Sequence, residues 1–127
     1  VRSVEEIMTG ERRREERREA RLNAYLVVVT GKDGSIRSPR EKVKIKDISS
    51  IGASVVARTV RPGGYHVMYS DMMLYRNTVE LHVEKESGEV KVIPGRVVWY
   101  DKPDDFPGYL LGIEFTERID VSDLLEG

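Results

Sequence analysis

The sequence predicts an all-β fold of six or seven short antiparallel strands, closed as a barrel or packed as a sandwich, and three observations predict it. Apolar and charged residues alternate at period two, most cleanly where Val79, Leu81 and Val83 interleave with Glu80, His82 and Glu84. Turn-forming clusters separate the apolar runs at short intervals, among them Gly31-Lys32-Asp33-Gly34, Arg61-Pro62-Gly63-Gly64 and Ser87-Gly88. No amphipathic helix stands between those runs, so an alternating α/β organisation is excluded. At 127 residues the chain is sized for one core.

Residues 1–21 read as a charged N-terminal arm, and residues 22–127 as the barrel domain. Glu, Arg and Ala favour helix in the arm and no proline interrupts it. Its apolar content (Val4, Ile7, Met8, Ala20) is thin, and an isolated helix of this length is marginal in water, so partial order is expected. Residues 22–30 open the strands. Residues 41–48 follow, with Val43 and Ile45 on one face and Lys42, Lys44 and Lys46 on the other. Residues 53–58 form a more buried strand. Residues 78–84 and 90–93 make a hairpin, and Pro94-Gly95 marks a bend or bulge before a strand over 96–100. Residues 108–116 close the series with Tyr109, Leu111, Ile113 and Phe115 on one side, and residues 120–125 form a short helix. The least regular stretch, residues 65–77 (Tyr65 to Asn77), carries three tyrosines and three methionines. It reads either as a further strand with a helical turn or as a surface for a protein partner or a second copy of the chain.

Hydrophobic content of 39% and charged content of 34% describe a folded protein with a well-solvated surface. Apolar runs such as Leu26 to Val29 are far too short to span a bilayer, and no charged-then-apolar leader opens the sequence, so a cytoplasmic protein without a membrane segment is expected. The absence of cysteine excludes disulfides, thiolate metal sites and cysteine nucleophiles. His66 and His82 have no partners at metal-ligand spacing, and neither a phosphate-binding P-loop nor a Ser-His-Asp order is present. The chain reads as a non-enzyme that needs no cofactor. Its net charge of −1 is unevenly spread. Residues 11–21 hold six arginines against four glutamates, whereas residues 101–127 hold eight acidic side chains against two basic ones. Positive charge confined to one short segment suits a small anion better than a nucleic acid, which recruits a whole basic face.

Two motifs carry the chemistry. The first is the run Arg12-Arg13-Arg14-Glu15-Glu16-Arg17-Arg18-Glu19-Ala20-Arg21. Arg17 and Arg21 share a face whether the segment is helical or extended. The pairs Arg13/Arg17 and Arg14/Arg18 meet the same spacing, so the register stays open. By itself the run describes a solvated helix of Glu–Arg pairs, each contributing a few tenths of a kcal/mol. A phosphate ligand changes that reading, because a guanidinium fork engages phosphate oxygens or a guanine edge bidentately. The second motif is Asp47-Ile48-Ser49-Ser50-Ile51-Gly52, between two strands. The Asp47 carboxylate can accept from the N1–H and N2–H₂ of guanine, Ser49 can add a hydroxyl contact, and Gly52 permits positive φ or close approach of the backbone. Without the arginines, Asp47 and Ser49 read equally well as turn caps.

An Arg-x-x-x-Arg pair just before the first strand, followed by Asp-x-Ser-x-x-Gly, resembles the signature of the PilZ domain family, and Gly112-Ile113-Glu114-Phe115 is similar to that family's last strand. The resemblance spans roughly residues 12–116. It implies a six-stranded barrel that binds the bacterial second messenger cyclic di-GMP, with Arg17, Arg18, Arg21, Asp47, Ser49 and Gly52 as the ligand-binding residues. The alternative it leaves is a PilZ-like protein-interaction module that no longer binds nucleotide.

Overall fold

The computed structural model describes residues 22–126. Seven strands form one antiparallel sheet: β1 (Asn23–Thr30), β2 (Ile36–Arg37), β3 (Glu41–Ile48), β4 (Gly52–Ala57), β5 (Thr78–Glu84), β6 (Val90–Asp101) and β7 (Tyr109–Phe115). A helix, α1 (Val121–Glu126), follows them. The strand order is β2-β1-β3-β4-β7-β6-β5, and β5 pairs back onto β1 from Asn23↔Glu84 to Val29↔Thr78. Six strands thus close a barrel, and β2 is an extra strand outside it. The barrel, not the sandwich, is the form adopted; closure leaves no unpaired edge between β1 and β5.

The period-two pattern explains which side of each strand is buried. Leu26 and Val28 of β1, Val55 of β4, Leu81 and Val83 of β5, Val97 of β6 and Leu111 of β7 are fully buried in one core. Each such side chain contributes about 1.5–3 kcal/mol relative to its exposed state. Helix α1 closes one end of the barrel by burying Val121 and Leu124. Asp120 caps it, its Oδ1 accepting from the backbone N–H of Ser122 at 3.0 Å. The Lys85 ammonium, at the end of β5, reaches Glu89 at 3.0 Å and Asp123 of α1 at 3.5 Å, tying the β5–β6 hairpin to the helix.

Several expectations are refined. β6 runs unbroken through Pro94-Gly95, where a bend or bulge was expected; the register shift falls further on, between Val97 and Trp99. Pro94 tolerates this position because its backbone polar atoms face the β7 side just past that strand's end, where its carbonyl accepts from the Thr116 N–H at 2.9 Å; the β6–β7 ladder begins at Gly95↔Phe115, so the missing N–H removes none of its bonds. The two-residue strand β2 is too short to leave a periodic signature. Ser38 bridges the gap between β2 and β3 along the β1 edge, donating its N–H to the Val28 carbonyl at 2.9 Å and accepting from the Val28 N–H on Oγ at 2.8 Å. Residues 65–77 form no strand beyond an isolated Tyr69↔Arg76 bridge; they wind through a short 3-10 turn at Asp71–Met73. The arm of residues 1–21, with Arg17, Arg18 and Arg21, lies outside the described residues.

Because every barrel pairing is antiparallel, chain connections alternate between the two ends of the barrel. The entry into β1 at Leu22 and the β3–β4 turn at residues 49–51 therefore share one end, together with α1. The long β4–β5 connection that holds residues 65–77 lies at the other.

Candidate functional site

The β3–β4 turn is built by its own side chains. Ser49 donates its backbone N–H to the Gly52 carbonyl at 2.8 Å. Its Oγ accepts from the N–H groups of Ile51 (3.2 Å) and Gly52 (3.3 Å) and donates to the Gly52 carbonyl (3.3 Å). The hydroxyl is thus committed to the turn, the capping role that Ser favours in such positions. These side-chain bonds are long, so one of them can be exchanged for a ligand contact at small cost.

The turn is also clamped from outside. The Ile51 carbonyl accepts from Phe115 N–H of β7 at 2.8 Å, and the Ser50 carbonyl accepts from Ile119 N–H at 2.9 Å. Arg118 adds a guanidinium donor to Ser50 Oγ at 3.2 Å. Ser50, a position that the motif leaves unspecified, links the turn to the segment leading into α1. A turn fixed from three sides is preorganised, so little ordering cost remains for a ligand that meets it.

Gly52 meets a close neighbour. A β-carbon built there would stand 2.5 Å from the Ile113 carbonyl oxygen of β7. Its φ is not in the left-handed region. Of the two reasons for glycine offered by the sequence, close approach is therefore the operative one.

Asp47 sits half-buried on β3 at a register shift that falls between Ile45 and Asp47. A bulge of this kind re-aims the side chain that follows it. Across the outer face of the barrel, Asp47 pairs with Ser54 of β4, Ser54 with Gly112 of β7, and Gly112 with Trp99 of β6. Directly paired residues project to the same face, and the flanking Ala53, Val55, Leu111 and Ile113 are buried inside. The four positions therefore form one outward row spanning three strand spacings, about 14 Å. Both of its ends, Asp47 and Trp99, are set by register shifts. The Trp99 indole lies directly against Gly112, where any β-carbon would collide with it. It remains 45% exposed, an unusual exposure for the chain's single tryptophan. In the next row Gly52 pairs with Glu114 and Glu114 with Arg96, whose guanidinium holds the Glu114 carboxylate at 3.0 Å. Ser54, Gly112 and Arg96 were not singled out from the sequence as site residues, and Trp99 reads there as core or interface rather than as a stacking surface. Only strand register places them beside Asp47, and register is invisible in a single sequence when two bulges intervene.

The structure thus brings Asp47, Ser49 and Gly52 together at one end and on one flank of the barrel. Arg17, Arg18 and Arg21 lie outside the described residues. Elsewhere, both histidines have structural partners. His66 Nδ1 accepts from the N–H groups of Met68 (3.0 Å) and Tyr69 (3.3 Å), and burial, aided by the Arg61 charge, holds its pKa below the ordinary imidazole range. His82 Nε2 lies 3.0 Å from Glu80, whose carboxyl is held below its usual range first by the Arg37 hydrogen bond.

A closed barrel that carries an outward row from Asp47 to Trp99 beside a clamped turn is the frame of a small antiparallel β-barrel domain. The profile of the PilZ domain family matches residues 11–126, so the match takes in both the arginine run and the barrel. The chain belongs to the PilZ domain family, whose members generally bind cyclic di-GMP. No curated protein and no solved structure matched the chain. No helix among the described residues is long and apolar enough to cross a membrane.

Proposed function

We propose that this chain is a cyclic di-GMP receptor in which residues 1–21 act as an arginine arm and residues 22–127 as the barrel that completes the site. The outward row from Asp47 to Trp99, alongside the clamped Ser49–Gly52 turn, carries this reading. Asp47 offers a carboxylate to the donor edge of guanine, and Trp99 offers an exposed ring face for stacking. Arg17 and Arg21, with Arg18 between them, bring forked donors to the phosphates or the outer guanine edge. Leu22 enters β1 at the same barrel end as the turn, which supports arm and turn acting on one ligand. The output is mechanical: the arm becomes ordered against the barrel when ligand is present.

Isothermal titration with cyclic di-GMP, with GMP as control, is the test. Saturable binding lost in an Arg17→Ala, Arg21→Ala double variant is expected. No binding at high micromolar ligand would sink the proposal, as would unchanged affinity in the double variant. In that event the alternative stands, an interaction module that no longer binds nucleotide; the exposed side chains of Met72, Met73 and Leu74 favour it.

A further inference from the structure

The β4–β5 connection holds a second surface, at the barrel end opposite the Asp47–Gly52 turn. Its first half is core: Val67 and Met68 are buried, and Asn77 ties that half down by donating from Nδ2 to the carbonyls of His66 (2.8 Å) and Tyr69 (3.0 Å). The second half turns outward. Met72, Met73 and Leu74 are 87%, 70% and 73% exposed, and three neighbours, Tyr75, Ile36 and Tyr100, are 39%, 45% and 42% exposed. Ile36 lines the same cavity as Met72, and the Tyr100 ring stands edge-on to His66 at 5.5 Å. Together the six expose the equivalent of about three and a half large side chains, or roughly 700 Å² at about 200 Å² each. A monomer seldom leaves so much largely apolar surface open at one place. A specific interface buries about 800 Å² on each partner, so the patch is close to the size that a dimer needs.

The cavity beside this patch measures about 230 Å³, with Met72 and Leu74 at its rim and Tyr65, His66, Tyr69 and Tyr75 as aromatic walls. The charges around it favour a neutral occupant. Arg76 stands against the wall, its guanidinium 5.7 Å from the Tyr69 ring centre while it donates to the Val97 carbonyl at 3.1 Å. The Arg61 charge acts on His66, and Asp71 lines the cavity as an exposed carboxylate. Charges of both signs are thus already present, and a polarisable neutral group meets repulsion from neither. Aromatic walls suit a thioether in particular, since its sulfur packs well against rings.

Met73 offers that thioether on the same surface. It falls between two lining residues in the chain but does not itself line the cavity, so it stands beside the hole as a knob. Its four side-chain heavy atoms need roughly 120 Å³ at about 30 Å³ apiece, which the cavity holds with room for part of a neighbour. Met72 and Met73 both have left-handed backbone, with φ of 61° and 55°. Two consecutive methionines in that region are uncommon, because their β-carbons crowd the backbone, and such strain clusters at surfaces that bind. A knob and a hole side by side on one face are self-complementary about a two-fold axis, each copy's knob meeting the other's hole.

We infer that this chain forms a two-fold dimer in which Met73 of each copy enters the aromatic cavity of the other, with Met72, Leu74 and Ile36 packed around it. The inference does not depend on the nucleotide reading, since the two surfaces occupy opposite ends of the barrel.

The test is sedimentation equilibrium of the ligand-free full chain from about 1 μM to about 1 mM, joined to isotope-filtered NMR on a mixture of labelled and unlabelled chains. A dimer half formed at roughly tens of micromolar is expected, with intermolecular contacts between the Met73 methyl group and the Tyr65 or Tyr69 ring. Met73→Asp should weaken the dimer at least about ten-fold, whereas Lys44→Asp, on the exposed face of β3, should leave it unchanged. Asp accepts left-handed backbone more readily than Met. At concentrations where both chains are monomeric, Met73→Asp should therefore melt no lower than the parent, which separates lost association from lost folding. A chain that stays monomeric to about 1 mM overturns the inference, as does a dimer that survives Met73→Asp or lacks the contacts between Met73 and the tyrosines. Contacts from residues 1–8 to this cavity would mean that Val4, Ile7 or Met8 of the same chain covers it, and they too would remove the second copy.

Discussion

Substituting Gly52 by alanine tests whether the turn is held by packing or by backbone freedom. The new β-carbon would stand 2.5 Å from the Ile113 carbonyl oxygen. Close C···O contacts between strands lie at roughly 3.3 Å, so about 0.8 Å must be recovered by moving backbone. Neither side yields easily. Ile113 is paired with Val97 as well as Ala53, and the turn is tied to β7 through the Ile51–Phe115 hydrogen bond. Overpacking of this kind costs about 1–3 kcal/mol. For a domain of this size a central cost of about 2 kcal/mol lowers Tm by about 10 °C. Thermal unfolding followed by circular dichroism reads the effect, with Ser54→Ala as control. Ser54 is the outward residue two positions on, and its substitution is expected to move Tm by less than about 2 °C. A Gly52→Ala protein that melts with the Ser54→Ala control would refute the reasoning. The glycine would then have to be explained by the ligand alone.

Three further outcomes are expected. Gly112→Val pushes the Trp99 indole off its strand neighbour, so the emission of this single tryptophan should shift to longer wavelength; an unchanged spectrum would mean that the ring does not rest on Gly112 in solution. Lys85→Met keeps the aliphatic stem and removes the charge that reaches Glu89 and Asp123, so hydrogen exchange should accelerate in residues 119–126 while the barrel ladder stays protected. Uniform exchange rates in both proteins would show that the helix does not depend on that link. His66 takes up its proton at lower pH in the folded chain than in the unfolded one, so acidification through about pH 6.5 favours unfolding until the folded ring is itself protonated. Tm should therefore fall more between pH 7.5 and 5.5 in the parent than in His66→Asn, and parallel curves would remove His66 from the pH response.

The parts of this protein that were legible in its sequence are those set by local chemistry. The alternation in residues 78–84 gives the inner and outer faces of β5 directly, because period two leaves no other assignment. The Asp47–Gly52 motif and the turn it forms are likewise local. Longer-range geometry was hidden. The bulges beside Asp47 and Trp99 each shift the pattern by one residue, and Lys46 and Val98 carry no mark of that shift. The Trp99–Gly112 contact exists only in the folded register. Residues 65–77 were conspicuous for their apolar content, yet composition does not distinguish Val67 and Met68, which enter the core, from Met72 and Met73, which face solvent. Ser50 looked like a spacer because its partners, Arg118 and Ile119, lie nearly 70 positions away.

The chemistry of the described face bears on what the arm must supply. Asp47, Ser54 and Trp99 offer a carboxylate, a hydroxyl and a ring, which suit the donor edge and face of guanine and do nothing for its phosphates. The neighbouring row adds a second carboxylate, Glu114, which already engages Arg96. Lys44 and Lys46 are exposed on β3, but an ammonium is a point charge and cannot fork onto a phosphate or a guanine edge as a guanidinium does. With Arg96 held by Glu114 and Arg118 donating to Ser50, the proposed ligand with two phosphates would draw its forked cations from outside this face, and the six arginines at residues 12–21 precede Leu22 in the sequence. An order of severity follows. Trp99→Ala should weaken cyclic di-GMP binding by the loss of one stacked base, about 1–3 kcal/mol, or roughly 5- to 150-fold. If Arg17 and Arg21 fork onto the ligand as proposed, the Arg17→Ala, Arg21→Ala protein would lose two charge-assisted contacts, at about 1.5–3 kcal/mol per hydrogen bond, and should fall below detection. If titration gave the reverse order, the barrel face would be carrying the ligand by itself and the arginine segment would have no part in recognising it.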